Sequence, residues 1–345
     1  MLARTYFTAA LISLSSALAM AQGGFDVVTL YEGSPKRGAI VEMSKDKIGL
    51  EVSNVVTHVD VGDVKRVTFA DAPALLTSAQ ASIASGQLED AVEKLRKIDK
   101  ADIQRNIVAD EVDFYLAYCQ AKMALAGSGD KNAAVTAMRT FADNSGTYHY
   151  YEANEMTGDL ALAVRRPDVA SVFYKNVSNA PWPEFKVKAA VLEGNALLAQ
   201  EKYTEAGAKY QMVITANLNT PLASRQKEFA ALGKAKCLGN LNKATEGIKL
   251  CENIIANSDS RDGELFSRAY NALGACHLAA GKEKDALLAY LHVDLLFYQD
   301  PSQHAEALYH LIDLWKTENE ADRALKSRSL LKSRYPGSVW ASKAG

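Results

Sequence analysis

The residues with the greatest chemical potential cluster in LGACHLAAGKEKDALLAY, residues 273–290, where Cys276, His277 and the pair Gly281–Lys282 lie close together. A phosphate-cradling loop needs G-x-x-x-x-G-K-[ST] between a strand and a helix, because backbone amides and the lysine must converge on phosphate oxygens. Here six residues separate Gly274 from Gly281, Lys282 precedes Glu283, and the preceding segment is helical in period. Gly281 reads instead as the residue that ends a helix, with Cys276 and His277 as packing positions. His304 and His310 are six apart and fall on different helix faces, whereas a metal pair needs a spacing of four; Asp313 stands where it can hydrogen-bond His310. His149 lies in TYHYYE, whose rings suit the groove between two helical hairpins. The chain has no G-x-S-x-G, H-E-x-x-H, EF-hand or G-x-G-x-x-G motif and no C-x-x-C. The reading is a protein without enzymatic activity, cofactor or metal.

The four cysteines, Cys119, Cys237, Cys251 and Cys276, all fall within helical patterns. A disulfide needs Cα atoms within about 7 Å. Turns near residues 240 and 260 misalign Cys237 with Cys251 and Cys251 with Cys276. Buried free thiols are the expectation, with Cys237–Cys276 as the alternative bridge.

Those positions must be held by a scaffold, and the 345 residues have the apolar content to build one, at 48% hydrophobic with a formal charge of −2. No basic stripe suited to phosphate backbones is present, which argues against nucleic-acid binding. Residues 1–21 read as a signal peptide: Arg4, then an apolar run from Tyr6, then small residues at Ala19 and Ala21 in the A-x-A pattern. Cleavage is expected after Ala21, giving an exported, periplasmic chain, with an uncleaved anchor as the alternative. No later stretch has the ~20 apolar residues of a membrane span.

Residues 22–70 differ from the rest. DVVTLY, RGAIVEM, KIGLEV, VVTHVD and VKRVTF are rich in Val, Ile and Thr and are separated by EGSPK, SKD and GD. This is the pattern of five short antiparallel strands, expected as a small SH3-like or Sm-like barrel. The register of the fourth strand has two readings. From residue 71 to 345 the period is helical. Alanines follow each short turn at Ala91, Ala134, Ala170, Ala206, Ala244, Ala286 and Ala324, and Gly158, Gly194, Gly233 and Gly274 precede theirs by 12, 12, 11 and 12 residues. Gly costs about 1 kcal/mol in a helix, so its recurrence implies close approach of two helices, expected between this Gly and the Ala. Four residues beyond the alanine stand Leu95, Met138, Tyr174, Tyr210, Ile248 and Tyr290, with Arg328 in the seventh unit.

Tyr270, Leu273, Gly274, Gly281 and Ala286, with Pro336 twelve residues after Ala324, resemble the tetratricopeptide repeat, a helix–turn–helix unit. The resemblance implies a mostly α chain: an α-solenoid of about seven TPR-like hairpins over 71–345, preceded by the all-β barrel-like domain. The closing LKSRYPGSVWASKA is similar to the end of periplasmic repeat proteins.

First helices of stacked hairpins line a concave face. Positions six before, three before and one after each glycine are expected there: Glu152, Glu155 and Asp159; Lys188, Val191 and Asn195; Lys227, Ala230 and Lys234; Arg268, Asn271 and Ala275. This groove would run from acidic to basic, with repeats four to six gripping an acidic segment of an envelope protein or peptide. Trp182, between two prolines, reads either as an exposed anchor or as a cap on the third hairpin. Basic residues of the last helix read as partners of its dipole. The function expected is a non-catalytic interaction scaffold in the periplasm or envelope, with a small-ligand or glycan-binding protein as the alternative.

Overall fold

The computed structural model describes residues 24–345, so the expected signal peptide lies outside the described residues. Five strands come first: β1 (Asp26–Leu30), β2 (Lys36–Met43), β3 (Lys47–Val52), β4 (Val55–Asp60) and β5 (Val64–Thr68). They form one antiparallel sheet in the order β4-β3-β2-β1-β5. The ladder stays open, with β4 and β5 as its two edges, and register shifts at Thr29/Leu30 and Ile40/Glu42 bend it. Ser53 and Asn54, both with positive φ, make the two-residue turn that sets the register of β4, so that Val59 faces the core and Val55 and Val56 face out. Val28, Ile48, Leu50 and Val67 fill the sheet's buried side together with Leu76 and Ala79 of the first helix.

Seven hairpins follow. The first helices are α1 (Ala74–Ala84), α3 (Asn106–Ala126), α5 (Tyr150–Ala163), α7 (Pro183–Ala199), α9 (Pro221–Asn240), α11 (Gly263–Ala279) and α13 (Pro301–Thr317). The second helices are α2 (Leu88–Arg96), α4 (Lys131–Ala142), α6 (Pro167–Ser178), α8 (Tyr203–Ile214), α10 (Ala244–Asn257), α12 (Glu283–Leu296) and α14 (Ala321–Arg334), and α15 (Val339–Lys343) ends the chain. Gly86, Gly127, Arg165, Glu201, Asn242, Gly281 and Asn319 adopt left-handed φ, one at each of the seven hairpin turns, confirming Gly281 as a helix-ending residue.

The glycines meet a different partner from the one expected. A Cβ on Gly158, Gly194 or Gly274 would lie 2.2, 2.6 or 2.7 Å from the ring of Tyr174, Tyr210 or Tyr290. The close approach is therefore helix backbone against the tyrosine four residues past the alanine, and all three tyrosines are fully buried. Gly233, one position out of step, backs onto Tyr210 of the preceding repeat at 2.4 Å.

The solenoid curls until its ends meet. Gly337 N donates to Gly127 O at 2.7 Å, and Lys131 Nζ donates to Gly337 O at 2.8 Å. Only glycine fits here: Gly127 has φ +89°, and a Cβ on it would lie 2.2 Å from Ser338 N. The turn of repeat two thus docks on the C-terminal segment, and the repeats form a ring.

All four cysteines are buried and unbridged. The thiol neighbour of Cys276 is Cys251, not Cys237, because Cys251 lies one helical turn beyond Gly247, whose backbone abuts Cys276 Sγ.

Candidate partner-binding cavity

The first helices face the interior of the ring. In repeats three and four the expected positions are there: Glu152, Glu155 and Asp159 on α5, and Lys188, Val191 and Asn195 on α7, all line the central space. In repeat five they do not. Lys227 bonds Asn219 at 3.4 Å, Ala230 is buried, and Lys234 bonds Gln211 of α8. The cause is the register, since Gly233 stands 11 rather than 12 residues before its alanine. Counting twelve back from Ala244 gives Leu232, and the same offsets then name Gln226, Phe229 and Gly233, all of which line the cavity, as does Lys236 one turn on. In repeat six Arg268 faces in, but Asn271 is wholly buried between repeats, its amide donating to Gln303 O at 2.9 Å, and Ala275 lines neither chamber.

Repeat two also contributes, although it has no glycine to mark it. Ala121 is its equivalent, 13 residues before Ala134 because of the inserted GSGDK loop, and the offsets give Tyr115, Tyr118 and Lys122. These were missed from the sequence, and counting back from the alanine with the insertion allowed for would have found them.

The central space, open to solvent, has two chambers that share lining residues. The larger, about 1070 Å³, is walled by residues from all seven repeats. The smaller, about 410 Å³, lies between the sheet and repeats two to four, with Ile83 of repeat one and Leu222 and Gln226 of repeat five at its margin. Tyr118, Lys122, Glu155, Asp159 and Gln226 line both. The sheet is bound firmly in place. Lys45 N donates to Ser145 O at 2.8 Å, and Tyr151 Oη donates to Asp46 at 2.7 Å. Trp182 is no free anchor: it packs edge-on against Tyr151 of the third hairpin at 5.8 Å and against Gly62 of the sheet, where a Cβ would lie 2.6 Å from the indole. Arg105 grips Asp26 with two bonds of 2.8 Å. Burial opposes the Asp26 charge, but Arg105 and the amides of Ile40 and Ala70 outweigh it and hold the carboxyl below its ordinary range.

Most of the cavity's charges are already paired. Lys188 is held by Glu155, Lys236 by Glu306 at 2.7 Å, and Arg268 by Glu264 at 3.2 Å. Arg225 and Arg268 lie over the Phe229 ring at 4.5 and 4.8 Å, a cation–π sandwich. Asp159 accepts from Tyr174 Oη and Asn195 from Tyr210 Oη, each at 2.7 Å. Burial, reinforced by Glu155, pushes Asp159 up to about 6.

The histidines serve the scaffold. His149 stacks on Phe114 at 3.4 Å and bonds Glu111 at 2.9 Å. Burial opposes its charge, but the Glu111 and Glu152 carboxylates outweigh burial and push it up to about 9. His304 bonds Asp294 and Tyr335, each at 2.8 Å. His310 stacks on Tyr290 at 4.7 Å, and burial pushes it down to about 4; the expected partner, Asp313, bonds Lys316 instead. Among the described residues no cluster of His, Cys, Asp and Glu is arranged to hold a metal, and no helix is long and apolar enough to cross a membrane.

No family model matches the chain, and no curated protein does. Solved structures do. The crystal structure of a Rap protein complexed with competence and sporulation factor is similar at 12% identity and a TM-score of 0.52, over 78% of this chain and 79% of that one. A tetratricopeptide repeat protein from Parabacteroides merdae is similar at 15% identity and a TM-score of 0.48, over 75% of this chain and 91% of that one. The stacked helical hairpins make the chain a TPR-like helical solenoid in fold, and the likeness to the Rap protein structure is one of fold alone.

Proposed function

We propose that this is a non-catalytic binding scaffold of the bacterial periplasm or envelope, and that it takes a segment of a protein partner into the central cavity. The observation that carries the reading is the cavity itself: the first helices of the repeats converge on one central space, open to solvent, lined by charged, aromatic and aliphatic side chains. A chamber of about 1070 Å³ admits an extended segment or a small ligand but not a folded domain. The Rap protein structure holds competence and sporulation factor, which agrees with a binding role for a fold of this kind. The export signal expected over residues 1–21 supports the location.

The test is capture from the envelope fraction of the host by the tagged chain and by a Leu198→Arg variant, which places a charge in the cavity wall. A protein retained by the first and lost from the second supports the proposal. Equal retention by both contradicts it. The small-ligand alternative is favoured by the closed ring, and it predicts a low-molecular-mass species in native mass spectra of the purified chain.

A further inference from the structure

Around the inner wall, charge is almost fully matched. Glu152 is engaged by His149, Glu155 by Lys188, Lys236 by Glu306, and Glu264 by Arg225 and Arg268. Lys122 stands apart, because no ion pair or hydrogen bond reaches its ammonium among the described residues, and Asp159 is met only by the Tyr174 hydroxyl. It stands where the two chambers join, with Nζ over the Tyr118 ring at 5.5 Å. Glu155, Asp159 and Asp300 are near enough to favour its charge without touching it. Burial opposes its charge, but these neighbours outweigh burial and keep the ammonium positive.

The sheet adds further positive charge. Lys65 and Arg66 of the edge strand β5 line the smaller chamber from the opposite side, exposed, and neither forms an ion pair among the described residues. The chamber's remaining acid, Glu184, lies in the first turn of α7, where the helix dipole offsets it. Tyr31, 52% exposed, presents its ring to the same chamber. A cavity of about 410 Å³ walled by tyrosine rings, whose unpaired cations Lys65, Arg66 and Lys122 outnumber the unpaired carboxylates Asp159 and Glu184 among the described residues, has the form of a site for a small anion on an aromatic or ring-shaped body.

We infer that the chamber between the β-sheet and repeats two to four binds an organic anion, a carboxylate or phosphate on a ring-bearing body, with Lys122 as the inner anchor, Lys65 and Arg66 at the rim, and Tyr31 and Tyr118 against the ring. The inference rests on the reading of the cavity as the binding region, but its site is set by the sheet rather than by the repeats alone. The anionic group can belong to a free small molecule or to an acidic side chain of a bound segment.

The test is calorimetric titration of the chain from residue 22 with phenylacetate, phenyl phosphate and the uncharged phenylacetamide, and with a blocked glutamate hexapeptide against its glutamine counterpart. The expected result is binding of an anionic probe at least tenfold tighter than its neutral counterpart. Lys122→Gln should weaken it tenfold or more, and Lys122→Arg should restore it. The double variant Lys65→Gln/Arg66→Gln, on the exposed strand edge, should weaken it several-fold and leave it less sensitive to salt than in the wild type. Preference for the aryl anions identifies a free small molecule, and preference for the glutamate peptide identifies a segment's side chain. Equal affinity for charged and neutral probes, no binding by any probe, or indifference to both variants overturns the inference. Anion binding without capture of any protein sinks the scaffold reading alone. Capture that is lost with Leu198→Arg, without anion preference, sinks this inference alone.

Discussion

In repeat three the hydroxyl of Tyr174, lying over Gly158, donates to Asp159 at 2.7 Å; in repeat six that of Tyr290, lying over Gly274 in the same way, has no partner. The difference is the residue after the glycine, Asp159 in one and Ala275 in the other, and repeat four follows repeat three with Asn195. The contrast extends beyond the tyrosines. The four buried polar atoms without a partner among the described residues, on Arg268, Asn271, His277 and Tyr290, all belong to repeat six. Burying a polar atom unmatched costs free energy that the fold must recover elsewhere. Repeats two to four are saturated with internal bonds, and they also hold the sheet. Repeat six has polar capacity left over at the other end of the cavity. The same hairpin framework therefore carries a half whose buried polar atoms are matched and a half with unmet hydrogen-bonding potential.

The largest effect should come from breaking the shared feature. Gly158→Val and Gly274→Val each push a side chain into a buried tyrosine ring and should cost about 3 kcal/mol in denaturant unfolding. Gly239→Ala, where the nearest atom is at an ordinary 3.6 Å, should be neutral or stabilising by up to about 1 kcal/mol.

The two stacked histidines set the halves apart by pH. His149 is raised to about 9, so its contribution is fully present below its unfolded value near 6.5 and is lost as pH rises through 9. Stability should fall on that limb by something on the order of 2 kcal/mol, and His149→Gln should flatten it. His310 is lowered to about 4, so its contribution is present above 6.5 and is lost as pH falls toward 4. His310→Gln should flatten the acid limb instead. Melting curves across pH for both variants check the pair.

Smaller effects sharpen the tyrosine contrast. Tyr210→Phe strands the Asn195 carbonyl and should cost about 1 kcal/mol, whereas Tyr290→Phe deletes an unmatched hydroxyl and should be neutral or stabilising by up to about 1 kcal/mol. The smallest effect is expected at Lys234, which is turned toward Gln211: Lys234→Glu should leave ligand and partner binding unchanged.

How much of this was legible in the sequence depended on what the period could carry. The strand-to-helix change near residue 71 and the seven alanines marked the hairpins, because burial repeats at helical spacing. The inner face could be read in repeats three and four, where glycine and alanine keep their 12-residue spacing; repeat six keeps it too, but there Asn271 is buried between repeats and only Arg268 of the three faces in. In repeat five the glycine serves Tyr210 of the preceding repeat, so counting from it moved Lys227 and Lys234 to the inner face in place of Gln226, Phe229 and Lys236. Lys122 was hidden because Ala121 does the work of glycine there. Ring closure rests on Gly127 and Gly337, 210 residues apart, and docking of the sheet rests on Gly62 meeting Trp182, 120 residues away; neither leaves a periodic trace.

The most direct test of the central claim uses a photo-crosslinking amino acid at Gln226, which lines both chambers, against the same group at Met212, 64% exposed on an outer helix. With both variants expressed in the host and irradiated, the account predicts a discrete adduct from position 226 and none from 212. Adducts from 212 alone, or an unmodified chain at 226, would contradict binding within the ring.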